Sequence, residues 1–240
     1  MTDLRDVLTV FIITVGGNPN YDDCCKALSH QTCLFKIDTV ANFTPMSAAF
    51  QKMMDRCETP YYIQVDEDMI LNPDAIEKMY KQFPIYNSQI VMDCYQLTDV
   101  HMNFPIYGVK IYKTKIFKQF PYENCASCEV NQLDRMEKNG YKYQFKEEIV
   151  GLHSLKWTNE GIFERYYNLY MKYRLFGYEW MGRLPQKLLV LHKNDPSELN
   201  FYAMSGCFAA MNAPLINEEK DANKHLQAFI DFEEKRKNNG

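Results

Sequence analysis

The sequence predicts an α/β fold: a mostly parallel sheet flanked by helices, with a helical C-terminal extension. Three observations carry this. Short apolar runs alternate with helical stretches across residues 1–155. The first run is continuous and β-branched, as a strand covered on both faces is. From Thr158 onward the apolar period is helical throughout. Alternation at these lengths implies right-handed crossovers and ligands bound beyond the carboxyl ends of the strands.

Val7 to Val15 is the first buried strand, broken by Gly16-Gly17-Asn18-Pro19 before a helical stretch from Tyr21 to His30. Leu34 to Val40 is the second strand. Thr44 and Pro45 form an N-cap and first-turn proline, and Met46, Phe50, Met53, Met54 and Cys57 recur on one helical face. Tyr61 to Val65 is the next strand, after which Asn72-Pro73 repeats the cap-and-proline pattern ahead of Ile76, Met79, Tyr80 and Phe83. Gln89 to Tyr95 and Pro105 to Tyr112 are further strands, Glu129 to Asn139 is a helix closed by Gly140, and Tyr143 to Val150 is the last core strand. Ile162, Tyr166, Leu169, Tyr170 and Tyr173 line one face of a helix closed by Gly177; Asn217 to Asn238 is amphipathic through Leu226, Phe229 and Ile230. Tyrosines at that spacing are more often half-buried core than a sugar-stacking or dimer surface. No Ser-, Gly- or Pro-rich linker intervenes, so residues 1–240 are expected to form one domain, with 1–155 its α/β core and 156–240 its helical extension.

A chain of 240 residues can bury a sizeable core, and 46% apolar with 24% charged residues excludes disordered, collagen-like and coiled-coil classes. Lys and Arg number 27 against 31 Asp and Glu, a net charge of −4 that argues against a nucleic-acid or anionic-membrane binder. Any phosphate-bearing substrate would need imported positive charge. Val7 to Val15 is too short to span a bilayer, and Asp3 and Asp6 flanking Arg5 deny it the basic start of a signal segment. Adjacent Cys24 and Cys25, and a lone Cys125-x-x-Cys128 without a second pair, point to reduced thiols, no zinc knuckle and a cytoplasmic location.

The most informative string is Gln64-Val65-Asp66-Glu67-Asp68-Met69. Carboxylates at i and i+2 on a strand end lie on the same side and are able to share one hard cation. A solvated acidic turn capping the next helix is the plain alternative, and the position at the ligand-binding edge of the sheet tips the balance. A calcium loop of EF-hand type fails, because Ile70 and Leu71 stand where an oxygen ligand and a glycine are needed.

The order of pieces resembles a GT-A fold glycosyltransferase of the family 2 type: an apolar strand ending in Thr14, a second strand carrying Asp38, Pro45-Met46-Ser47-Ala48-Ala49-Phe50-Gln51, then Tyr61 to Asp68 and Asn72-Pro73. Asp66-x-Asp68 is its DxD motif. The resemblance implies Thr14, Asp38 and Asp66 as nucleotide contacts, Asp68 as leading ligand of Mn2+ (or Mg2+), a UDP- or GDP-linked sugar as donor, and inversion. The family's acidic pair precedes an Arg and a Gly at fixed spacing; Arg135 and Gly140 keep it, so Glu129 falls on the second acid while Cys128 replaces the first. Glu129 is thereby the candidate base for a glycan or other hydroxyl acceptor, against the plain reading of a helix N-terminal acid favoured by the dipole. Asp134 is the substitute. His153, just beyond the last core strand, is the second candidate metal ligand, an imidazole suiting manganese better than magnesium. His30, His101, His192 and His225 lack such placement.

Three rivals follow from the same residues. A DxD phosphotransferase would use Asp66 as nucleophile, but its motif belongs on a first strand. A sugar-nucleotide pyrophosphorylase needs a Gly-rich, Arg-containing first loop, which Gly16-Gly17-Asn18-Pro19 is not. A degenerate GT-A domain would bind nucleotide or glycan without turnover, as the acid missing at Cys128 suggests. A homodimer is an open partner of the helical end.

Overall fold

The computed structural model describes residues 1–125, 127–215 and 222–239. They fall into two compact units, Met1–Glu123 with Cys128–Lys156, and Asn124–Ser127 with Trp157–Gly240.

The first unit runs β1 (Thr2–Asp3), β2 (Leu8–Thr14), α1 (Tyr21–Ser29), β3 (Cys33–Leu34), β4 (Lys36–Ala41), α2 (Met46–Arg56), β5 (Tyr61–Asp66), β6 (Met69–Leu71), α3 (Ala75–Gln82), β7 (Ile90–Asp99), β8 (Phe104–Lys113), α4 (Thr114–Phe117), α5 (Cys128–Lys138) and β9 (Lys142–His153). Its main sheet has the order β4-β2-β5-β8-β7-β9-β6, with β1 and β3 paired separately. All seven residues of β2 are buried, as its continuous apolar run requires.

The α/β architecture is the expected one, while the pairing is more mixed than a mostly parallel sheet. β2 lies parallel to β4 and β5, and β7 parallel to β9; β8 is antiparallel to β5 and β7, and β6 to β9. The short connection at residues 100–103 is the reason: it turns a hairpin and is too brief for a crossover. Register neighbours share a face, so Asp38, Phe11, Gln64, Lys110 and Cys94 form one row across the sheet. Asp66 lies two residues further along that face of β5.

The helical stripes are buried as expected at Phe50, Met53 and Met54 of α2 and at Ile76 and Met79 of α3. Their starts differ from the cap-and-proline reading. Pro45 itself is the N-cap of α2, with ψ 176° outside the helical range, and Asp74 is the N-cap of α3. Asn72 instead accepts from the Ala75 N–H at 3.0 Å, closing a turn ahead of the helix. β9 extends three residues beyond the expected strand, to His153, because β7 and β6 pair with it on either side.

The second unit contains α6 (Asn159–Phe176), α7 (Glu179–Gly182), α8 (Leu184–Asn194), α9 (Glu198–Asn212) and α10 (Ala222–Asn239). The Thr158 side chain caps α6 by accepting from Gly161, and Gly177 ends it in the left-handed region at φ 71°. Ile162 and Tyr166 are buried and Leu169, Tyr170 and Tyr173 half-buried, which matches the core reading of these tyrosines. Phe229 packs on Phe163 with ring centroids 5.5 Å apart; positions 217–221 and the Leu226 side chain lie outside the described residues. Among the described residues no helix is long and apolar enough to cross a membrane. None of the eight cysteines forms a disulfide.

Candidate active site

β5 ends at Asp66, and two residues, Glu67 and Asp68, turn the chain into β6. The middle acid faces inward. Glu67 is buried; its Oε2 accepts from the Thr14 hydroxyl, its Oε1 from the Val15 N–H at 3.4 Å, and its own N–H donates to Ile13 O at 3.1 Å. Thr14 Oγ1 also accepts from the Gly16 N–H at 2.9 Å. Thr14 therefore stands at the carboxyl end of β2, as expected, with its hydroxyl engaged by the triplet.

Asp66 faces the other way, onto the row of Gln64 and Lys110. Tyr112 donates to Gln64 Oε1 at 2.9 Å, and Gln64 Nε2 donates to Asp66 Oδ1 at 3.2 Å. Burial and the neighbouring Asp68 charge push the Asp66 carboxyl up to about 6, against the pull of Lys110 and the Gln64 hydrogen bond.

Asp68 is held by the segment that follows β9. The Ser154 hydroxyl donates to Asp68 Oδ2 at 2.6 Å and the Ser154 N–H to Asp68 O at 2.8 Å. Ser154 takes a left-handed φ of 53°, a conformation that costs a non-glycine residue about 1 kcal/mol or more and that clusters at functional sites. His153 Nε2 lies 3.3 Å from Asp68 Oδ2, and its Nδ1 lies 3.4 Å from Oδ2 of Asp99. The two expected metal ligands, 85 residues apart in sequence, are thus side by side.

Glu129 stands in the first turn of α5, and its Oε1 accepts from Lys110 Nζ at 2.6 Å. Burial works against the Lys110 charge, but the Glu129 and Asp66 carboxylates outweigh it and raise the ammonium above its ordinary value. Lys110 so joins Glu129 to the Asp66 side of the site. Cys128, where the family carries an acid, is buried in the helix, and Asp134 is exposed. Arg135 donates to Pro121 O at 2.5 Å, which anchors the segment ahead of α5. Asp38 stands apart: it lies on the edge strand β4 and pairs with Arg56 at 3.6 Å.

Sequence reasoning missed Lys110, Ser154 and Asp99, and missed Glu67 as the anchor of Thr14. Lys110 carried a signal, since a lysine between Val109 and Ile111 in an apolar strand has to find a carboxylate when buried. Chemically, Asp68 and His153 present an oxygen and a nitrogen donor at 3.3 Å, close to the roughly 3 Å between adjacent ligands of an octahedral ion with bonds of about 2.1 Å. The pair fits two adjacent ligand positions of a divalent ion. Among the described residues no group of three or more His, Cys, Asp or Glu forms a fuller shell.

The chain has the GT-A fold, the fold of glycosyltransferases that resemble it in structure. One is the mannosyltransferase PcManGT from Pyrobaculum calidifontis in complex with GDP-Man and Mn2+, 8% identical over 87% of this chain and 88% of that one, with a TM-score of 0.53. Another is S. aureus TarS 1-349 in complex with UDP, 9% identical over 87% of this chain and 76% of that one, with a TM-score of 0.50. No protein-family model matches the chain, and no curated protein matches it in sequence.

Proposed function

We propose that the protein is a metal-dependent glycosyltransferase that moves a sugar from a UDP- or GDP-linked donor to the hydroxyl of a glycan or other acceptor, with inversion. The observation that carries this reading is the Asp68–His153 pair, 3.3 Å apart beyond the end of β5 in a GT-A sheet. The likeness to a mannosyltransferase complexed with GDP-Man and Mn2+ supports it.

In this reading Asp68 and His153 hold the ion, Asp66 meets the ribose, and Thr14 and Asp38 contact the nucleoside from β2 and β4. Bound there, a divalent ion would supply positive charge to the leaving diphosphate. Glu129 Oε2 takes the acceptor's proton while Lys110 holds Oε1, and the acceptor oxygen bonds to the anomeric carbon as that carbon's bond to the diphosphate breaks. Ser154 keeps Asp68 from swinging away between turnovers. Residues 156–240 are read as a helical extension of the same domain.

The test is turnover of UDP- and GDP-sugars with Mn2+ for the native chain and Asp68→Ala. Loss of metal-dependent turnover in the variant supports the proposal, and full activity rejects it. The Lys110–Glu129 ion pair and the buried Cys128 favour a second reading, a GT-A domain that binds nucleotide without turnover. Thermal stabilisation by UDP or GDP with Mn2+, together with no transfer from any donor, would select it.

A further inference from the structure

We propose that Asp99 is a positioning residue for His153: its carboxylate holds the Nδ1 edge of the ring, so that Nε2 presents its lone pair toward Asp68 and a shared divalent ion. The inference rests on the reading of Asp68 and His153 as metal ligands.

Asp99 ends β7 and is 0% exposed, so its carboxylate needs polar partners there. One oxygen is committed locally, Oδ1 accepting from the Met102 N–H at 2.9 Å in the turn that leads to β8. The other, Oδ2, lies 3.4 Å from His153 Nδ1. The backbone fixes this approach, since Asp99 and His153 are register partners and the Val100 N–H donates to His153 O at 3.2 Å.

That register is produced by irregularities. Between the Tyr95/Lys146 pair and the Asp99/His153 pair, β9 runs three residues longer than β7, the surplus falling at two register shifts. Had the strands kept step, Asp99 would stand beside Val150. Bulges near a site serve to re-aim side chains, and here they carry His153 to the carboxylate.

The chemistry then selects a tautomer. Neutral imidazole has one N–H and one lone pair, and an ionised carboxylate only accepts. A proton on Nε2 would turn the Nδ1 lone pair against the buried Asp99. A proton on Nδ1 faces the Asp99 carboxylate at 3.4 Å, an electrostatic approach longer than an ordinary hydrogen bond, and leaves the Nε2 lone pair facing Asp68 Oδ2 at 3.3 Å. Two acceptors at that distance repel unless a cation joins them: a second proton on the ring when no metal is bound, or the divalent ion that displaces that proton. Metal-ligating histidines commonly donate their other ring N–H to a carboxylate in this way.

The experiment compares the native chain with Asp99→Asn, which keeps an oxygen for Met102 but presents an amide N–H to the ring. Nitrogen NMR of histidine-labelled protein at a pH that leaves the ring neutral, with His153→Ala to assign the signal, reads the tautomer; electron paramagnetic resonance of free Mn2+ reads affinity for the metal alone. The expected result is Nδ1–H in the native chain, a shift toward Nε2–H in Asp99→Asn, and Mn2+ affinity lowered about 10–100-fold. Native His153 in the Nε2–H form, unchanged Mn2+ affinity in Asp99→Asn, or lost affinity with an unchanged tautomer would each overturn the inference. Asp68→Ala and His153→Ala separate the two levels. If they abolish Mn2+ binding while Asp99→Asn does not, only the role of Asp99 fails; if neither they nor Asp99→Asn matters, or the native chain binds no Mn2+, the metal site itself fails.

Discussion

Lys110 Nζ lies 2.6 Å from Glu129 Oε1, a cation from mid-strand β8 reaching the first turn of α5. The pair is partly buried, with side chains 17% and 30% exposed. Breaking a fully buried pair costs about 3–5 kcal/mol, and water at Glu129 offsets part of this, so Lys110→Met is expected to destabilise by about 1–3 kcal/mol. Urea denaturation measures it. Glu129→Gln keeps an oxygen for Lys110 and is expected to lower turnover about 100-fold or more with donor affinity unchanged. Equal loss of both would assign Glu129 a structural role.

Glu67 ties the turn after β5 to the end of β2 through Thr14 and Val15. A glutamine at this position keeps one acceptor but loses the charge-assisted bond, at an expected cost of about 1–2 kcal/mol. The local signature is faster hydrogen exchange at the amides of Val15 and Glu67, and unchanged exchange there would contradict the anchoring role.

A pH effect is expected from Glu77. Its carboxyl is held down to about 2 by Lys81 and by the hydroxyls of Thr2 and Thr32, which it gathers at 2.7, 2.5 and 2.9 Å. In the unfolded chain a glutamate titrates near about 4.3. The folded value being the lower, its contribution is present above that unfolded value and is lost as pH falls toward 2. Melting temperatures of Glu77→Gln should therefore converge on those of the native chain as the solution is acidified through this window.

Gly206 of α9 marks where α6 comes closest: a Cβ there would stand 2.1 Å from Phe163 O. Alanine ordinarily favours a helix over glycine by about 1 kcal/mol. Here the backbone carbonyl has to move, so Gly206→Ala is expected to destabilise by about 3 kcal/mol despite that gain. A raised melting temperature would refute the close approach.

Much of the fold was legible because burial leaves a local trace. The run Leu8–Thr14 and the stripes of α2 and α3 state which faces are covered without reference to any partner. Strand pairing leaves no such trace, which is why the mixed sheet and the extension of β9 to His153 had to come from the structure. At the site, Asp66 and Asp68 announced themselves by adjacency. Glu67 looked alike in sequence, yet strand alternation sends it to the opposite side, where Thr14 waits. Asp99 was invisible because its partner is set by bulges that no periodicity records.

The order of the main sheet separates β5 from β6 by three strands, although two residues join them in sequence. Laid flat at about 4.8 Å per strand, four steps would part them by about 19 Å. The chain from Asp66 to Met69 reaches at most about 11 Å. The sheet must therefore roll until its far edge returns to its centre, and the acidic triplet is the clasp across that mouth. Closure and carboxylate placement then share the same few residues: a substitution that lets the clasp slip relaxes the curvature of the whole sheet as well as shifting Asp66 and Asp68.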